Sequence, residues 1–116
     1  VHYSIEMKGQ ALITELAGEF DLHSAPEFKK SIAAVYERHP GAKHLIFDVR
    51  NVTFIDSSGL GVILGRYREI KGKGGRLFFV RATPQIKRIL QLSGFDKISE
   101  FANSTNEVLE WIRRQQ

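Results

Sequence analysis

The run Leu45-Ile-Phe-Asp-Val49, carried on through Asn51-Val-Thr-Phe-Ile55, constrains the fold of this chain more than any other feature. A half-wet strand alternates apolar and polar residues. A strand apolar on both faces belongs in a sheet covered by helices. The run stops at Asp56-Ser57-Ser58-Gly59, and Leu60, Ile63, Leu64, Tyr67 and Ile70 then recur at helical spacing. The chain thus passes from buried strand to helix through a carboxylate, two hydroxyls and a glycine. Ser and Asp oxygens accept the free N–H groups of a helix's first turn. The same N–H groups and the helix dipole also accept an anion, phosphate included. Side chain and phosphate compete for one place, which is the basis of a plausible switch.

The remaining segments supply a sheet and its helices. Tyr3–Lys8 alternates, Gly9-Gln10 turns, and Ala11–Ala17 pairs back as an antiparallel hairpin that Gly18 ends. Glu19–His23 reads as a polar loop with apolar anchors. Ser24, Pro26 and Glu27 read as a capping box opening a helix whose stripe is Phe28, Ile32, Val35 and Tyr36, stopped at His39-Pro-Gly41. Gly72–Gly75 closes the helix after Ser58, and Arg76–Val80 is a second buried strand. Thr83-Pro84 opens a helix with Ile86, Ile89, Leu90 and Leu92 inward, closed by a left-handed Gly94. Phe95, Ile98 and Phe101 suggest a short edge strand. Ser104–Glu107 is a second capping box, before Val108, Leu109, Trp111 and Ile112. Gly61 and Gly65 cost a helix about 1 kcal/mol each relative to Ala, and close packing is the favoured reason for them. The expected architecture is a single α/β domain over residues 1–116. Its mixed, mostly parallel sheet has four to five strands and an N-terminal hairpin, with helices packed mainly against it.

The composition narrows the function classes. The chain is 116 residues long, 42% hydrophobic and 26% charged, as a globular domain is. It contains no cysteine, which rules out disulfides and thiolate metal sites and fits a cytoplasmic location. No apolar run reaches the ~18 residues of a membrane span, and no leader pattern is visible. Net charge is +4 and the pI about 9.6, but acids interleave with the bases, so direct nucleic-acid binding is not expected.

Catalytic patterns are missing where the chemistry would need them. A nucleophile elbow requires a Gly two residues before its Ser, where Ile55 or Asp56 stands. His2, His23, His39 and His44 have neither triad nor zinc spacing, and Gly72-Lys73 is followed by Gly74 rather than Ser or Thr. No cofactor is expected. In open α/β sheets, sites gather beyond the carboxyl ends of strands, where Glu19–Ser24 and Asp56–Gly59 belong. If those strands are neighbours, Asp21 lies near Ser57, placed to bond its hydroxyl or repel a phosphate on it. Ordinary loop acids and ordinary caps account for the same residues.

Phe54-Ile-Asp-Ser-Ser-Gly-Leu-Gly-Val-Ile-Leu-Gly-Arg-Tyr67 resembles the signature of STAS-domain anti-sigma-factor antagonists. Gly18-Glu-Phe-Asp-Leu-His23, Gly74-Gly-Arg-Leu77 and Thr83–Gly94 are similar to further blocks of that family, so the likeness spans nearly the whole chain. Ile63-Leu-Gly-Arg-Tyr67 favours the sporulation branch over the general-stress branch. The resemblance implies a non-enzyme that binds an anti-sigma factor, itself an ATP-dependent serine kinase, and so frees the sigma factor. Phosphorylation of Ser57 would end that binding, and a metal-dependent serine phosphatase would restore it. Ser58 is then the non-acceptor hydroxyl, Asp21 aids partner recognition and Asp56 positions the loop. Gly59 and Gly61 admit the partner, and Leu22, His23, Leu60 and Ile63 complete the contact surface. Phe20 and Leu22-His23 depart from the family's usual residues, in a loop that bears on partner choice. The free form is expected to be a monomer without membrane attachment. A STAS module of another pathway and a nucleotide-binding regulatory domain are the alternatives.

Overall fold

The computed structural model describes residues 1–115. One five-stranded sheet runs in the order β1 (His2–Lys8), β2 (Ala11–Phe20), β3 (His44–Ile55), β4 (Leu77–Val80), β5 (Ser99–Ala102). β1 is antiparallel to β2, and every other pairing is parallel. Helices α1 (Ala25–Arg38), α2 (Ser57–Lys71) and α3 (Pro84–Leu92) connect the parallel strands, and α4 (Thr105–Arg114) follows the last. Strand order equals chain order, so right-handed crossovers put all three connecting helices on one face.

The core agrees with that topology. Leu12, Leu16, Leu45, Phe47, Leu77 and Phe79 pack with Phe28, Ile32, Ile63, Ile70, Ile86 and Leu90 from α1–α3. Ala11, Ile13, Ile46, Phe78 and Val80 turn to the opposite face, where α4 sets Val108 and Ile112 on them. A single short helix cannot roof five strands. The far half of that face, with Ser4, Glu6, Glu15, Glu19, Arg50, Asn51 and Phe54, is exposed.

Some expectations fail for identifiable reasons. Gly18 does not end β2. It sits inside the strand at φ +90 beside a register shift against β3, and the strand runs on to a fully buried Phe20. Leu92 is 75% exposed, because it lies two residues from Leu90 and therefore nearly opposite it on α3. Phe95 begins a 3-10 turn, Phe95–Lys97, and the edge strand starts only at Ser99. Apart from the helix's own backbone and the adjoining residues, no atom of the described residues lies within 4 Å of a Cβ placed at Gly61 or Gly65, so close packing is not their role. Gly94 adopts the expected left-handed conformation, φ +83, and the Ser104 hydroxyl caps α4 by accepting from the Glu107 amide.

Two buried polar groups were not foreseen in detail. Asp48, on the α4 face, is held by the Arg81 guanidinium, with Nε 3.2 Å from both carboxylate oxygens and Nη2 2.5 Å from Oδ2. A buried carboxylate needs such a partner, and Arg81 reaches it with a left-handed backbone, φ +57. The Thr14 hydroxyl is fully buried without a hydrogen bond among the described residues. Thr14→Val keeps the shape and removes the orphan group, so it should stabilise the fold by about 1 kcal/mol. A lower Tm for the variant in thermal melts would contradict this.

His44 gives the fold a pH dependence. It is buried against Phe78 and Trp111, and its Nδ1 accepts the Arg76 amide at 3.1 Å. Burial first, then the charges of Lys43 and Arg76, push its pKa below 6.5. The unfolded chain therefore takes up this proton more readily than the folded one. The stabilisation is complete above the unfolded value of 6.5 and is lost as pH falls through it. The Tm should drop as pH falls below about 6.5 towards the lower folded-state value, with a shallower slope in His44→Gln. Equal slopes would remove His44 from the account.

Candidate functional site

The parallel pairing of β2 and β3 ends with Phe20 opposite Ile55, so the two following loops emerge side by side. Asp56 joins them. Its amide donates to the Phe20 carbonyl at 3.3 Å. Its carboxylate Oδ1 accepts the Ser58 and Gly59 amides at 2.8 and 3.2 Å, and Oδ2 accepts the Leu22 amide at 3.0 Å. Asp56, in an extended conformation, is thus the N-cap of α2. The two serines fall inside the first turn, with Ser57 exposed and Ser58 half-buried.

Gly59 is buried for a local reason. A Cβ there would lie 2.6 Å from the Phe20 carbonyl oxygen and 2.9 Å from its ring. Gly59 lets α2 start against the end of β2, and Phe20 rather than an outside molecule fills the space above it. Ile63 is fully buried in the core and is not a surface contact. Helical spacing named an apolar stripe but could not say which member faced outward. Leu60 is half-buried, Gly61 is exposed, and Leu22 is 65% exposed.

The neighbouring loop folds on Asp21. Its Oδ1 accepts the His23 and Ser24 amides at 3.0 and 3.1 Å, and its carbonyl accepts the Ala25 amide at 2.8 Å. The Ser24 amide, then the His23 amide, hold its carboxyl below the usual value, so it stays ionised. Ser24 does not cap α1 with its side chain. Its hydroxyl accepts the Asp21 amide at 3.0 Å and faces the Glu19 carbonyl at 3.1 Å, so it stiffens the loop instead. The topology brings Asp21, Leu22, His23, Asp56, Ser57 and Ser58 to one end of the sheet. No hydrogen bond joins Asp21 to Ser57 among the described residues. Sequence reasoning did not single out Phe54, which is 46% exposed two residues before Asp56. The register shifts obscured it by breaking the alternation of β3.

The arrangement offers an accessible hydroxyl on a stiff, acidic helix start. Among the described residues, no hydrogen bond joins the Ser57 hydroxyl to another side chain, and no cluster able to hold a metal ion occurs.

This sheet order, with its strand–Asp-Ser-Ser–helix junction, defines a class. Residues 2–108 match the STAS domain model. The chain belongs to the STAS family, among the anti-sigma-factor antagonists. It is 35% identical to an anti-sigma F factor antagonist of Paenibacillus polymyxa over 95% of this chain and 96% of that one. Its fold is that of the anti-sigma factor antagonist SpoIIAA in its unphosphorylated form, with TM-score 0.77 and 24% identity over 97% and 98% of the chains. The phosphorylated form of Bacillus SpoIIAA superposes with TM-score 0.74 and 25% identity over 96% and 99%.

Proposed function

We propose that this protein is the substrate and ligand of a partner-switching circuit. Unmodified, it binds an anti-sigma factor that is also a serine kinase, and the sigma factor is released. Ser57 takes the phosphoryl group. Its oxygen forms the new O–P bond as the bond from the γ-phosphorus to ADP breaks, and the hydroxyl proton passes to a base on the kinase. A metal-dependent serine phosphatase returns the free hydroxyl. The protein itself is not a catalyst, and it acts in the cytoplasm as a monomer, without binding nucleic acid.

The observation carrying this reading is the Asp56 N-cap. It leaves the Ser57 hydroxyl exposed at the first helical position, with Leu22 tied to the same carboxylate. Asp21, Leu22, His23, Asp56, Ser57, Ser58, Leu60 and Gly61 form the docking face. The 35% identity to the sigma F antagonist supports the sporulation branch. The test is incubation with the kinase, ATP and magnesium, followed by intact mass and site mapping. One phosphoryl group, about 80 Da, should appear on Ser57 and be absent in Ser57→Ala. Modification of Ser58 would move the acceptor by one residue. No modification and no complex would sink the reading.

A further inference from the structure

Phe54 has no evident use within the molecule. Its neighbour Ile55 is buried and pairs with the buried Phe20, while Phe54 pairs with the exposed Glu19. Side chains alternate along a strand, so Phe54 points to the face opposite α2, beyond the part α4 covers. An aromatic ring almost half in water is an unusual residue for an uncovered sheet face. Among the described residues, the large hydrophobics exposed to this degree are Phe54, Leu22 and Leu92. Leu22 and Phe54 flank one carboxylate, Leu22 through the hydrogen bond its amide donates to Asp56 and Phe54 two residues before it in the chain.

We infer that the docking face for the anti-sigma factor does not end at α2. It passes over the end of the sheet to the uncovered side, with Leu22 and Phe54 as apolar anchors. This rests on the partner-switching reading and extends its footprint. The surroundings of these anchors favour a protein occupant. The anchors are rimmed by Glu19, Asp21 and Asp56, acids on a chain whose net charge is +4. The complementary surface is an apolar recess bordered by basic side chains. Aromatic anchors inside a polar rim are the usual energetic centres of interfaces. The surface is continuous with the helix start that carries Ser57.

The absence of cysteine makes the test clean. Single cysteines at Phe54, Ser57 and Leu92 are labelled with a thiol reagent in this 116-residue chain, with and without the anti-sigma factor. The labelling rate at position 54 should fall at least about tenfold in the complex. Position 57 should be protected as well, while position 92, at the far end of α3, should be unaffected. Protection at 57 without protection at 54 overturns this inference and leaves the partner-switching reading standing. Protection at neither overturns both. A second measurement covers the chance that the cysteine itself weakens binding. Phe54→Ala should keep the wild-type Tm and lose about tenfold in affinity, and an unchanged affinity would overturn the inference.

Discussion

Phosphorylated protein should bind the anti-sigma factor about a hundred to a thousand times more weakly than the unmodified form. The phosphate brings a charge of about −1.5 to −2 at pH 7. It arrives beside Asp56 and close to Asp21, which its backbone donors keep ionised. A helix N-terminus normally welcomes such a charge. Here Asp56 already occupies the Ser58 and Gly59 amides, so the phosphate remains outside, facing the partner. Excluding it from a packed interface at about 3–4 kcal/mol gives the stated loss. Titration calorimetry with enzymatically phosphorylated protein measures it directly. Ser57→Glu, with less charge and a shorter reach, should lose less. Equal affinities for the modified and unmodified forms would refute the switch. Circular dichroism of the two forms should coincide, because no backbone group has to change partner.

Gly59→Ala should be strongly destabilising, and Gly61→Ala, two residues on, should not. At Gly59 the added methyl meets the Phe20 carbonyl at 2.6 Å, and that carbonyl is also the acceptor of the Asp56 amide. Relief requires the helix start to lift from the end of β2. Overpacking of this kind costs about 2–3 kcal/mol, a fall in Tm on the order of 10 °C. At Gly61 nothing beyond the helix's own backbone and the adjoining residues lies within 4 Å, and the helix gains up to about 1 kcal/mol from the Ala preference. If Gly61 lies under the docked anti-sigma factor, that more stable variant binds less well. Thermal melts paired with a binding titration separate the two roles. A Gly59→Ala protein with wild-type Tm would contradict the packing account.

Much of this was legible in the chain, because the strongest signals are local. The hairpin turn at Gly9-Gln10, the left-handed Gly94, the Ser104 cap and the strand-to-helix passage at Asp56 each depend on a few consecutive residues. The family signature added the antagonist class, which the likeness to known antagonists bears out, and with it the proposal of Ser57 as acceptor. What stayed hidden depends on distant partners. Asp48 and Arg81 lie far apart in sequence and meet only because β3 and β4 pair in register. Ile63 and Leu60 share a helical stripe, and only the docked helix decides that the first is core. Phe54 was masked by bulges that make Val52 and Ile55 inward neighbours. Ser24 showed every residue of a capping box, yet the Asp21 loop closed around its hydroxyl first.

The double attachment of Asp56 has a consequence for timing. Because one carboxylate holds both the helix start and the neighbouring loop, the two proposed states of Ser57 should share one backbone shape. No slow relaxation separates writing the mark from reading it. In the proposed circuit the protein should respond as fast as the kinase and phosphatase turn over, and hold its last instruction for as long as neither one arrives.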